Sequence, residues 1–105
     1  MQFRGGMNEL MRQAARMQRK LEQTKQELAD REVTGTAVGD KVKAVVTYGR
    51  TVKSITVDPE FLKAEGFDLA MDSVCAAINA GLKEAETAME AELEKVTGGV
   101  KLPGM

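Results

Sequence analysis

The sequence predicts an α+β fold: a long helix, a three-stranded antiparallel meander, then a short and a long helix, in one domain spanning residues 1–105. Three observations carry that prediction. Apolar residues recur at three- and four-residue intervals over 7–28 and again over 71–96, which is the repeat of a buried helix face. Between them, β-branched residues alternate along "VTGTAVGDKVKAVVTYGRTVKSITV" (33–57), broken by two glycine-led turns. The meander then runs into "VDPEF" (57–61), a helix-start signature.

The first helix is expected over about residues 7–31. Met7, Leu10, Ala14, Met17, Leu21, Thr24 and Leu28 follow a 3-4-3-4 spacing, the seam of a packed or coiled helix. Asn8 or the glycines before it can begin the helix, and β-branched Val33 and Thr34 followed by Gly35 can end it. Arg12, Arg16, Arg19, Gln23 and Gln26 recur on the opposite face, with Lys20 and Lys25 on the flanks.

Strands are expected over about 32–57. "VGDK" (38–41) and "YGRT" (48–51) each put Gly first in a two-residue loop, as a type II′ hairpin requires, so Gly39 and Gly49 are both predicted at positive φ. Two tight loops fix the register. Val33, Gly35, Ala37, Val42, Ala44, Val46, Ile55 and Val57 then share one face, and Thr34, Thr36, Lys41, Lys43, Thr47, Ser54 and Thr56 the other. A slip of one residue would destroy that sorting. Gly35 opposite Ala44 leaves a shallow place for a helix to approach, and Lys53 has to snorkel from the apolar face.

A short helix is expected over about 59–65, with Asp58 as N-cap and Pro59 at the first helical position. After Gly66, Asp68 is expected to cap a long helix over about 68–97. Its seam reads Met71, Cys75, Ile78, Leu82, Ala85 and Met89, with Val74, Leu93 and Val96 beside it, and Ala77 and Gly81 permit close helix approach. Gly and Pro in "TGGVKLPGM" (97–105) end the helix and predict a flexible tail over 98–105. Helices of these lengths span roughly 37 and 45 Å, whereas six-residue strands cover only ~20 Å. Half of each helix therefore overhangs the sheet, and its apolar seam needs a second chain. The expected assembly is a homodimer with protruding helical arms.

Charge is polarised along the chain. The net charge is −1, yet residues 1–31 and 33–57 each carry +3 while residues 58–95 carry −7. Local fields of this kind govern binding more than the mean does. Several function classes find no support. Histidine is absent, no phosphate-binding glycine loop occurs, and the single cysteine, Cys75, lies on the predicted buried seam. Glu84, Glu86, Glu90, Glu92 and Glu94 read as a solvated helix face rather than a cation site. The longest apolar run, "VCAAI" (74–78), is far too short to span a bilayer, and no apolar leader follows Met1. The expectation is a soluble, non-enzymatic protein with no cofactor, metal or small-molecule substrate. The basic stripe has two readings, a solvated surface or contact with duplex phosphates. No aromatic residue interleaves with it, as single-strand stacking would need.

The segments "RGGMNELMRQAARMQRKLEQTKQELADREVTG", "VKSITVDPEFL", "VCAAINAGLKEAE" and "VTGGVKLPGM" occur in that order over almost the whole chain. In them the sequence resembles the YbaB/EbfC family of bacterial nucleoid-associated proteins. The resemblance implies a helix–three strands–helix protomer, a tight dimer with tweezer-like helical arms, binding of double-stranded DNA, and a cytoplasmic, nucleoid role in chromosome organisation or gene regulation. Carried onto this chain, DNA contacts from the arms select Arg12, Arg16, Arg19 and Lys20, with Lys25, Lys95 and Lys101 as secondary candidates. A non-enzymatic protein-interaction or assembly module that uses the same arms stays open beside it.

Overall fold

The computed structural model describes residues 2–98, with side chains from residue 6 onward. The elements in chain order are α1 (Gln2–Leu28), β1 (Glu32–Ala37), β2 (Val42–Thr47), β3 (Val52–Val57), α2 (Pro59–Glu65) and α3 (Phe67–Thr97). The predicted tail, apart from Gly98, lies outside the described residues.

α1 starts earlier and stops earlier than the expected 7–31. It runs through Gly5 and Gly6, which cost roughly 1 kcal/mol each against alanine but do not forbid a helix. Its end is set by tertiary hydrogen bonds and not by the β-branched residues beyond. The Gly49 amide donates to the Ala29 carbonyl and the Tyr48 amide to the Arg31 carbonyl, both at 2.9 Å, and these bonds draw the chain out of helical geometry toward the sheet.

The sheet is antiparallel in the order β1-β2-β3. Val33 pairs with Val46, Gly35 with Ala44, Ala37 with Val42, Ala44 with Ile55 and Val42 with Val57, so the register predicted for these residues stands; Thr47, assigned to the polar face, is buried, however, and Val52 pairs with Val46 in place of Lys53. The first loop keeps Gly39 at φ +65°, with the Lys41 amide donating to the Val38 carbonyl at 3.3 Å, but Val38 also takes positive φ, +53°, so the turn spans 38–41 and is not the two-residue type II′ loop expected. The second loop differs. Gly49 does not take positive φ; Arg50 does, at +69°. The Arg50 amide donates to the Thr47 carbonyl and the Thr47 amide to the Thr51 carbonyl, both at 2.9 Å, which makes a three-residue loop. Gly49 instead suits a close approach. A Cβ there would lie 3.1 Å from the Ala29 carbonyl oxygen, against the end of α1. The longer loop shifts the pairing to Val46–Val52, and a bulge at Lys53 restores Val45–Ser54. Loop and bulge cancel, so the register beyond them matches a tight turn.

Asp58 caps α2 as predicted, its Oδ1 accepting from the Glu60 amide at 2.9 Å, and Pro59 opens the helix. Gly66, at φ +88°, closes α2 and also serves as the N-cap of α3. Its carbonyl already accepts from the Ala70 amide at 3.1 Å, so Asp68 lies inside the first turn instead of capping it. There its charge still complements the helix dipole.

The core lies between α3 and the β1–β2 half of the sheet. Val42 and Ala44 are fully buried in one cluster with Ala70, Val74 and Ala77 of α3 and Phe61 of α2, while Val46, also fully buried, lies against Gly81. At the centre, Gly35 meets α3 backbone to backbone. A Cβ on Gly35 would overlap the Ala77 carbonyl oxygen and the Gly81 amide and sit 2.7 Å from the Gly81 Cα. The inward line of α3 is therefore made of small residues. The predicted seam holds at Ala85, with Val74 and Leu93 beside it buried, but is displaced by one position elsewhere: Met71 and Cys75 are exposed, and Ile78, Leu82 and Met89 are half-buried along the flank. α1 packs on α3, where Leu21, Leu28, Leu93 and Thr97 are buried. The molecule measures 75 × 20 × 18 Å. Neither helix reaches that length alone at 1.5 Å per residue, so the two are staggered.

Gly35→Ala is expected to lower stability by roughly 3 kcal/mol or more, because backbone on both sides resists the new methyl group. Gly39→Ala meets no atom within 4 Å and carries only its left-handed strain, about 1 kcal/mol. Urea unfolding of the two variants checks the contrast, and equal losses would contradict the backbone-contact account.

Candidate nucleic-acid interface

The N-terminal half of α1 is built as an arm. From residue 6 to residue 16 every side chain is exposed, including Met7, Leu10 and Met11 at 61–67%. Burial begins with half-buried Met17 and is complete at Leu21, where α3 comes alongside. The predicted seam of α1 thus splits into a packed portion, Leu21 to Leu28, and a bare portion, Met7 to Ala14.

Arg12, Arg16, Arg19 and Lys20 all sit on or at the root of this arm and are all exposed. They differ in their neighbours. Arg12 Nη1 lies 3.8 Å from Glu9 Oε2, and Arg16 Nη2 lies 3.5 Å from Glu9 Oε1. Arg19 and Lys20 make no ion pair among the described residues. Arginine guanidinium groups at this spacing present forked donors to phosphate or carboxylate oxygens.

The remaining predicted contacts are not brought together with these four. Lys25 lies farther along α1, on one wall of an open groove of about 440 Å³ between α1, α3 and the β2–β3 loop. Arg50, Glu86 and Glu90 also line the groove, with Met89, Leu93 and Ala29, so its field is mixed. Lys95 Nζ is 3.2 Å from Glu92 Oε1, close to the end of α3. Lys101 lies outside the described residues.

The acidic helix is partly neutralised from the sheet side. Arg31 Nη1 lies 3.5 Å from Glu92 Oε1, and Arg50 Nη2 lies 3.4 Å from Glu86 Oε2. Such exposed pairs contribute little stability, roughly 0–1 kcal/mol each. Their larger effect is on the field, since they hold positive charge of the connecting segments against α3, while the arm and Lys41, Lys43 and Lys53 of the sheet stay basic. Sequence reasoning missed Glu9, although its spacing of three and seven residues from Arg12 and Arg16 was legible. It also missed that β3 is left uncovered. Ile55, assigned to the buried face, is 45% exposed because α3 lies over β1 and β2.

Among the described residues, no group of His, Cys, Asp and Glu is arranged to hold a metal ion. No helix there is long and apolar enough to cross a membrane.

The family model for the YbaB/EbfC DNA-binding family matches residues 3–100. The chain belongs to that family. Its relatives include a nucleoid-associated protein of Clostridium kluyveri, 38% identical over 101 residues, covering 96% of this chain and 89% of the relative. Another is a nucleoid-associated protein of Pseudomonas fluorescens, 39% identical over 104 residues, covering 96% of this chain and 93% of the relative. The fold is similar to the crystal structure of an uncharacterised Helicobacter pylori protein, with a TM-score of 0.66 at 17% identity, over 85% of this chain and 94% of that one.

Because the arm's cations lie outside the packed body, Arg16→Gln with Arg19→Gln is expected to change unfolding free energy by less than ~0.5 kcal/mol. Leu21→Ala, by contrast, removes a buried side chain and is expected to cost about 2–4 kcal/mol. Thermal or urea unfolding of both variants measures the separation between arm and body.

Proposed function

We propose that the protein binds double-stranded DNA as a homodimer and acts as a nucleoid-associated protein in the cytoplasm, in nucleoid organisation or gene regulation. The observation that carries this reading is the arm: four exposed cations, Arg12, Arg16, Arg19 and Lys20, on a helix segment that stands clear of the acidic α3. Those residues cover about 12 Å along the helix axis, comparable to several phosphates of a duplex that carries one charge per roughly 1.7 Å. Contacts of this type fix position and orientation without reading bases. Lys25, Lys95 and Lys101 act as secondary contacts, Lys95 by giving up its pair with Glu92. The names of the relatives from Clostridium kluyveri and Pseudomonas fluorescens agree with this role.

The homodimer rests on uncovered apolar surface. Ile55 of β3 and Phe67, Leu69 and Met71 at the start of α3 are each 41–67% exposed. The displaced seam, Met71, Cys75, Ile78, Leu82 and Met89, runs along the flank of α3 that Phe67 and Met71 share, whereas Leu69 lies on the other side of the helix. An apolar surface of this kind on a small domain marks an interface. A second copy that covers it would also place two basic arms on one particle. The bare Met7, Leu10 and Met11 favour a second reading, an assembly module whose arms engage a protein helix.

Arg16→Glu with Arg19→Glu is expected to weaken duplex binding similarly on unrelated sequences. It should also flatten the slope of log affinity against log salt by roughly 2–4 units, at ~0.9 per phosphate contact and two residues on each of two arms. Mobility-shift or anisotropy titrations between ~50 and ~200 mM salt read both quantities. Full affinity at both salts would favour the assembly module. Sedimentation at micromolar concentration is expected to show a dimer, and Met71→Asp to dissociate it by placing a charge in the apolar contact; a folded wild-type monomer would remove the dimer from the proposal.

A further inference from the structure

Glu9 is the one acidic side chain of the exposed arm, and both of its carboxylate oxygens are engaged. Oε2 faces Arg12 Nη1 at 3.8 Å; Oε1 faces Arg16 Nη2 and also accepts from Gln13 Nε2, each at 3.5 Å. A carboxylate and a phosphate offer the same forked acceptor geometry to a guanidinium group. The carboxylate therefore occupies donors that a DNA phosphate would use. Arg19 and Lys20, one to two turns farther on, have no such partner among the described residues.

We infer that Glu9 is an internal competitor for phosphate, which holds the first half of the arm partly neutralised and so sets the affinity of the protein for nucleic acid. The inference rests on the proposed binding of duplex DNA through the arm. Two effects of Glu9 oppose each other. It orients Arg12 and Arg16, which would help binding, and its oxygens hold guanidinium donors that a phosphate would otherwise take, which hinders it. The geometry decides between them. The paired side chains are 50–73% exposed and the contacts are long, so the orientation they impose is weak. Competition needs no fixed geometry: whenever either guanidinium group faces Glu9, its donors are withheld from phosphate. Removing it releases two guanidinium groups at once and adds one net positive charge to each arm.

The test is a double-mutant cycle with a fixed duplex, read by fluorescence anisotropy at ~50 and ~200 mM salt. The four proteins are wild type, Glu9→Gln, Arg12→Gln with Arg16→Gln, and the combined triple variant, each verified as folded by circular dichroism. Glu9→Gln is expected to tighten binding roughly threefold per arm, hence about tenfold for a two-armed dimer, at the lower salt. It is also expected to steepen the salt dependence by up to ~0.9 per arm. In the background lacking Arg12 and Arg16 the same substitution is expected to have little effect. Unchanged or weaker binding by Glu9→Gln, with the arginine double variant impaired, would overturn the competitor role and leave the arm as the DNA surface. Equal tightening in both backgrounds would reduce Glu9 to a diffuse charge and overturn the specific competition. No loss of binding in the arginine double variant would overturn the arm contact that the inference rests on.

Discussion

The close approach of Gly35 to the Ala77–Gly81 turn of α3 is the contact on which the rest of the structure depends. It admits no side chain on the strand and only small ones on the helix. α3 consequently lies low over β1 and β2, and Val42, Ala44 and Val46 fill the space on either side of the crossing. What is gained at the centre is lost at the edge. A helix held there does not cover β3, so Ile55 stays partly exposed. The same placement carries the far half of α3 past a sheet only ~20 Å long. That half then becomes the surface on which α1 packs through Leu21 and Leu28. α1 in turn overshoots α3. Body, uncovered flank and free arm follow in sequence from one backbone contact.

Charge is distributed along this staggered frame in a way that suits the arm. The acidic side chains concentrate on α3, within the body, where Arg31 and Arg50 at the ends of the connecting segments face Glu92 and Glu86. The arm is left with Arg12, Arg16, Arg19 and Lys20 against a single Glu9. Exposed ion pairs of this kind contribute little to folding, so the arrangement shapes the surface field far more than the stability. A basic stripe on a protein of net charge −1 is thereby kept apart from the helix that would repel phosphate.

Particular residues show how far the sequence carried. Asp58 and Pro59 announced α2 because capping is local chemistry, and the Gly35–Ala44 pairing was legible because strand alternation allows one register only. The β2–β3 loop was misjudged because Gly49 answers a tertiary demand, contact with Ala29, that no turn rule contains. Its register survived since the bulge at Lys53 absorbed the extra residue. The α3 seam was displaced by one position because hydrophobicity points to Met71, Cys75 and Ile78, whereas the backbone contact demands Ala70, Ala77 and Gly81. On the arm, the basic stripe was visible from spacing alone. The partition of α1 into packed and bare halves was not, since it depends on where α3 ends.

The central claim is that the body and the arm are separate devices, the first fixed by packing and the second free to meet phosphate. Amide hydrogen exchange, followed residue by residue with and without a short duplex, tests it most directly. The account predicts that added DNA slows exchange along residues 7–20 of α1 while the amides of β1, β2 and the Ala77–Ala85 stretch of α3 keep the rates they had without it. Protection confined to the acidic face of α3 or to the sheet, with the arm unchanged, would contradict it.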